Sequence, residues 1–221
     1  MTEKVEGIVL QIIPHLQRSR IVKMYTPLGL LSFFQKTAQK KGAQNGQIFD
    51  PFSQVEMFYE KKRSTLYRIE DSSVIDWGLS IRSTMGTLFA AGAMAKALLR
   101  SQLPEKPSPK LYALFACYLK HLPLGIDPDV LTGSFLLKLL LHEGIIDLQD
   151  RCFYCGKEAQ GLSNGVSACK EHLEKKEREF SPQEWQSLFV MGKAQRISHL
   201  DPCAQVPDLI GFLEKRLEQD R

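Results

Sequence analysis

The chain lacks an apolar run long enough to cross a bilayer. Its most apolar stretch, Ser83 to Ala95, is bounded by Arg82 and Lys96 and falls well short of the about 20 residues that a hydrocarbon core requires. Nor does it open like a secreted protein. The start, Met-Thr-Glu-Lys-Val-Glu-Gly, is mixed in charge and has neither a basic flank nor an apolar run, so a cytoplasmic protein with no membrane partner is expected. Cysteine is scarce: there are 5, an odd number, four of them after residue 150. That excludes a disulfide framework and, in a reducing compartment, favours a metal site. Glycine and proline are too few, at 15 and 11 of 221 residues, for a collagen-like or low-complexity chain. Catalytic signatures are missing as well. There is no G-x-x-x-x-G-K-[ST] phosphate loop, no H-E-x-x-H, no G-x-S-x-G and no dinucleotide glycine fingerprint, and the one acidic pair, Asp127 and Asp129, reads as a helix cap and a first-turn carboxylate. A protein without catalytic activity is expected.

What remains is globular. With 43% hydrophobic residues and a formal charge of only +4, the chain can fill a core, and its average charge does not argue for nucleic acid. From residue 4 to 70 it reads as short strands: Val5–Leu10, Arg20–Thr26, Gly29–Phe34, Val55–Tyr59 and Thr65–Ile69. Thr26-Pro27-Leu28-Gly29 supplies a tight turn between the second and third. Five short strands without a helical period predict a small closed barrel, since closure removes exposed edges. Helix-length segments follow, at about 75–99, 108–121, 129–143, 182–190 and 207–218. Leucines at 136, 137, 139, 140 and 141 cover most sides of the third, which is expected at the centre of a bundle with only Lys138 seeking water.

Two features carry chemistry. Cys152-x2-Cys155-Gly156 and Cys169-x2-His172 pair two knuckles, and three thiolates with one imidazole complete tetrahedral zinc and leave no position for a catalytic water. Cys203 is the alternative fourth ligand, while Cys117 reads as a core residue. The second feature is charge. Between Gln11 and Phe49 there is no acidic residue, yet Arg18, Arg20, Lys23, Lys36, Lys40 and Lys41 fall there. On a small barrel such a field attracts phosphates without sequence preference. Tyr25, Phe33 and Phe34 are interleaved with the cations, as base stacking in a single-strand groove needs. A core role competes for each, and Phe33 and Phe34 must point to opposite faces. Tyr25 joins the six cations as the candidate DNA-binding set.

In order, these segments resemble the RecO family of bacterial recombination mediators. The resemblance rests on Glu6-Gly7-Ile8-Val9-Leu10, Ser19-Arg20-Ile21-Val22, Tyr25-Thr26-Pro27-Leu28-Gly29-Leu30, the basic loop from Lys36 to Gly42, Pro51-Phe52-Ser53, the leucine-rich helix from Phe135 to Gly144, and the two knuckles. It departs at His172, where zinc-bearing relatives usually place a cysteine. The resemblance implies an α+β chain: an N-terminal OB-fold, 1–78, then a helical domain, 79–221, carrying a structural zinc module at about 150–175. It implies binding of single- and double-stranded DNA, annealing of complementary strands and, with RecR, loading of RecA onto DNA coated by single-strand binding protein (SSB). The SSB C-terminal tail would need an apolar pocket with a basic rim on the helical domain. The competing expectation is a zinc-stabilised OB-fold scaffold for a protein partner, and a third is a zinc-dependent hydrolase.

Overall fold

The computed structural model describes residues 2–15, 19–36, 49–61, 64–201, 203 and 205–219. The chain forms two compact units, Met1–Lys120 and His121–Arg221.

In the first unit, five strands close into a barrel: β1 (Thr2–His15), β2 (Ser19–Thr26), β3 (Gly29–Lys36), β4 (Gln54–Glu60) and β5 (Leu66–Asp76), in the order β1-β2-β3-β5-β4. All pairings are antiparallel except β3 with β5. This is the OB-fold arrangement, in which closure pairs the edges that an open sheet would expose. Alternation sets the core. Val22 and Met24 on β2, Leu31 and Phe33 on β3, and Val55, Met57 and Tyr59 on β4 point inward and are almost fully buried, so their neighbours along each strand face outward.

The turn between β2 and β3 holds at Gly29, whose φ is +98°; a Cβ there would sit 2.3 Å from the Lys106 carbonyl oxygen. Only glycine fits on both counts. The approach occurs because the segment before the second helix lies against this turn, with Glu105 N–H donating to the Leu30 carbonyl at 3.1 Å and Ser108 N–H to that of Pro27 at 3.2 Å.

The first helix does not begin at Ile75 as the pattern predicts. β5 continues to Asp76, a short 3₁₀ turn spans Leu79–Arg82, and α1 runs over Met85–Ser101. The reason is local. Asp76 Oδ1 accepts from Gly78 N–H at 2.8 Å, Gly78 sits in the left-handed region, and Thr84 caps α1 by accepting from Thr87 N–H. α2 (Pro109–His121) follows, burying Leu111, Phe115, Tyr118 and Leu119. Cys117 is exposed on α2 and is not the core residue expected.

In the second unit, α3 (Pro128–Glu143) starts at Asp127, whose carboxylate accepts from Asp129 N–H at 2.8 Å, and ends at Gly144 in the left-handed region. Its residues from Val130 to Leu137, with Leu139 and Leu140, are buried, and it packs against α4 (Pro182–Lys193) and α5 (Leu209–Gln219). Lys138, the partly buried position on that stretch, donates to the Ala194 carbonyl at 2.5 Å. A capping box of Ser181 and Glu184 starts α4. Between α3 and α4 lies a small module with one hairpin, β6 (Gly161–Ser163) and β7 (Val166–Ala168). No helix among the described residues is long and apolar enough to cross a membrane.

Candidate functional site

The module brings the two knuckles together. Gly156 N–H donates to the Cys152 carbonyl at 2.9 Å and His172 N–H to that of Cys169 at 3.0 Å, so each turn folds its two side chains to one side. One ligand atom from each of Cys152, Cys155, Cys169 and His172 lies within 4.8 Å of all the others. Cys155 Sγ and Cys169 Sγ are 3.6 Å apart, and His172 Nδ1 is 3.7 Å from Cys152 Sγ and 3.3 Å from Cys169 Sγ. Ligand bonds of about 2.3 Å to sulfur and about 2.0 Å to nitrogen at tetrahedral angles put ligand atoms about 3.5–3.8 Å apart. The cluster therefore has the size and the donors to hold a metal ion such as zinc. Cys203 is not part of it; its sulfur meets the His199 carbonyl.

Two of the three thiols, those of Cys152 and Cys169, are shifted toward the thiolate. Burial pushes the Cys152 thiol up, but backbone N–H groups of Cys169, Cys155 and Tyr154 outweigh it and hold the pKa at about 6. Burial likewise opposes ionisation at Cys169, and the His172 side chain and backbone overcome it. His172 in turn is raised, chiefly by its contact with Cys169. The Tyr154 ring stacks on the His172 imidazole, with centroids 5.3 Å apart.

On the barrel, the predicted DNA-binding residues separate into three fates. Lys23 and Lys36 are on the outward face, half-buried and exposed respectively. Lys23 sits between Gln11 of β1 and Ser32 of β3, and Lys36 lies opposite Ser19. Arg20 instead has the inward parity of Val22. Half-buried at the barrel mouth, it donates from Nε to Gln35 Oε1 at 2.7 Å and lies 5.9 Å from the Phe49 ring centroid, with burial lowering its pKa against the pull of Asp50.

Tyr25 requires a correction. Its ring is 0% exposed, packed against Tyr112 and Phe115 of α2 at 6.3 Å each. It faces outward from β2, as parity requires, but α2 covers that end of the face, so no base can reach it. Phe33 is core and Phe34 is outward and half-buried, the opposition that strand geometry demands. Arg18, Lys40 and Lys41 lie outside the described residues.

The structure adds a cation that the charge pattern missed. Arg68 of β5 pairs in register with Phe34 through the parallel ladder and is exposed. Among the described residues, no carboxylate forms an ion pair with Lys23, Lys36 or Arg68. The acid-free window ends at Phe49, before Arg68, and only the barrel closure joins the two. Outward parity within a strand is the one sequence signal that could have indicated it.

The second unit also contains a groove of about 590 Å³, lined by Pro182, Trp185 and Phe189 with Arg151 and Lys157 among its polar residues.

Comparison with known proteins covers most of the chain. Residues 1–77 match the family model described as Recombination protein O N terminal, and residues 82–196 match Recombination protein O C terminal. The DNA repair protein RecO of Chlamydia pneumoniae is 32% identical over 96% of this chain and 84% of its own length. That of Exiguobacterium sibiricum is 30% identical over 82% of this chain and 74% of its own. That of Listeria monocytogenes serotype 4a is 25% identical over 98% and 87%.

Proposed function

Because the chain belongs to the RecO family of DNA repair and recombination proteins, we propose that it is a non-catalytic recombination mediator. In this reading it binds single- and double-stranded DNA through the barrel, anneals complementary strands and, with RecR, promotes RecA loading onto SSB-coated single strands near the nucleoid. The observation that carries it is the outward barrel face with Lys23, Lys36 and Arg68 free of intramolecular ion pairs among the described residues. Cations left unpaired on a strand face are available to phosphates, and each phosphate neutralised releases counterions. A shallow face also suits annealing, since it can hold two strands by their backbones while leaving base edges accessible.

The cysteine module has a supporting role. One zinc ion per chain, held by Cys152, Cys155, Cys169 and His172, would tie the two knuckles to each other; a full set of four protein ligands makes such a site structural. The groove beside it, with Trp185 and Phe189 for apolar side chains and Arg151 for a carboxylate, alongside Asp150 and Glu158, is the place this reading gives to the acidic, apolar SSB tail. Division into an OB-fold domain over 1–78 and a helical domain over 79–221 belongs to the same reading.

The test is annealing of complementary strands coated with SSB. The wild-type chain accelerates it, and a Lys23→Ala, Lys36→Ala, Arg68→Ala variant that folds normally does not. Equal rates for the two overturn the assignment of the barrel face.

One observation favours a second reading, that of a protein scaffold. Trp77, Leu79, Met85 and Phe89 are exposed, Phe89 at 66%, and apolar side chains so displayed suit a protein partner. DNA binding that falls steeply with salt supports the mediator; indifference to DNA supports the scaffold.

A further inference from the structure

The parallel ladder between β3 and β5 is short. Only Ser32, Phe34 and the residue between them pair with Leu66 to Arg68. Beyond that point β5 changes register against β4, with Phe58 opposite Asp71 and Tyr59 opposite Ile69, so Glu70 is an extra residue. Such a bulge bends the strand that carries it and ends regular pairing. Past the last paired residues, β3 and β5 border a cleft of about 170 Å³, lined by Phe34, Lys36, Arg68, Ile69, Glu70 and Ser72.

The lining combines an aromatic ring, two cations and a carboxylate. Phe34 supplies an aromatic wall, steadied by a T-shaped contact with His15 at 6.0 Å. Lys36 and Arg68 follow it on the two strands. Glu70 adds a carboxylate, one oxygen of which accepts from the Thr2 hydroxyl at 2.8 Å. A phosphate would be repelled by that carboxylate, whereas a nucleobase presents N–H donors that it can accept. The cleft is also much smaller than the several hundred Å³ typical of a small-molecule site.

Resting on the reading of the barrel as the DNA-binding face, we propose that this cleft receives one unstacked nucleobase of a single strand. The base stacks on Phe34, and Lys36 and Arg68 hold the phosphates on either side. A base within a duplex is already stacked and paired, so it cannot enter without being extruded. The cleft thus lets a face that otherwise binds any phosphate backbone favour single strands, the form on which a mediator works.

The experiment uses the full chain, a single-stranded oligonucleotide carrying 2-aminopurine, and its duplex, at one salt concentration. With wild type, the fluorescence of 2-aminopurine changes on binding the single strand and is little changed in the duplex. Phe34→Leu, which keeps apolar volume but loses the aromatic face, is expected to lose that signal and about tenfold in single-strand affinity, while duplex affinity holds. Glu70→Lys, on an exposed residue, should raise affinity for both forms and bring their ratio toward one. If Phe34→Leu weakens both forms equally, or keeps the fluorescence change, or if Glu70→Lys leaves the ratio at its wild-type value, the cleft is not a base site although the face still binds DNA. A wild-type chain that binds neither form overturns the DNA-binding reading and the cleft together.

Discussion

The side of the barrel that carries Lys23, Lys36 and Arg68 and the cysteine module use their cations in opposite ways, whereas elsewhere on the barrel Lys4 meets Glu56 at 2.7 Å and Lys61 meets Glu3 at 3.8 Å. In and beside the module, Lys157 meets Glu171 at 2.8 Å, Lys170 meets Glu179 at 3.0 Å, Lys176 meets Glu174 at 3.1 Å and Arg178 meets Glu184 at 3.0 Å. On the barrel, Lys23, Lys36 and Arg68 form no ion pair among the described residues, although Glu60 stands opposite Arg68 and Glu70 shares its cleft. Exposed ion pairs add little to stability, so what differs is availability. A cation already balanced by a neighbour gains less from a phosphate than one that is not. The module is small, has one short hairpin, and gathers Cys152, Cys155, Cys169 and His172 into one cluster able to hold a metal ion. The barrel has a closed ladder and an apolar interior, so Lys23, Lys36 and Arg68 are not needed to hold it together.

The largest expected effect lies on the module side. Cys152→Ser should abolish stoichiometric zinc and unfold the segment around the knuckles, because such sites draw much of their folding free energy from the metal. Metal analysis and a thermal melt read this out, and DNA affinity of the barrel should survive. Full zinc retention after loss of both Cys152 and Cys155 would remove the metal from the comparison altogether.

Next in size is Tyr25→Ala. The ring lies between β2 and α2 at 0% exposure, and emptying such a site costs about 3–5 kcal/mol. The melting temperature should fall while the DNA affinity of the folded fraction holds. Lost affinity at unchanged stability would return Tyr25 to the binding face.

The triple variant of Lys23, Lys36 and Arg68 should melt like wild type. Its slope of log affinity against log salt for single strands should shrink in magnitude by about 2, at about 0.7 for each lost contact. The same count of substitutions at Lys157, Lys170 and Lys176 should leave that slope nearly unchanged, and a comparable loss there would erase the contrast.

A smaller effect is expected in alkali. Burial, aided by Glu105, pushes the Tyr67 hydroxyl up to about 12, and burial, aided by Glu6, does the same for Tyr112. A folded-state pKa above the unfolded value of about 10 means a contribution that is complete below pH 10 and is lost as pH rises from 10 through 12. Alkaline melts of Tyr67→Phe should show a shallower decline than wild type. An identical decline would place the tyrosine hydroxyls outside the balance of barrel stability.

Features set by local spacing were legible in the sequence. Two C-x2 knuckles bring their own side chains to one side of a turn because a two-residue spacer permits little else, and His172, not the alternative Cys203, completes the cluster. Period-two alternation predicted five strands and opposite fates for Phe33 and Phe34, and the leucines of α3 announced a helix buried on nearly all sides. What alternation cannot carry is whether an outward side chain meets water or another element. Tyr25 and Phe34 have the same outward parity, yet α2, more than 80 residues further along the chain, covers the first and not the second. Arg20 and Lys23 are equal as charges, and only the barrel's inside and outside distinguish them. Arg68 joins Phe34 solely because β3 and β5 run side by side to close the barrel, a pairing between strands remote in sequence. Residue type and spacing determined which chemistry the chain could carry, and the long-range packing of strands and helices decided which of those side chains face solvent, where DNA could reach them.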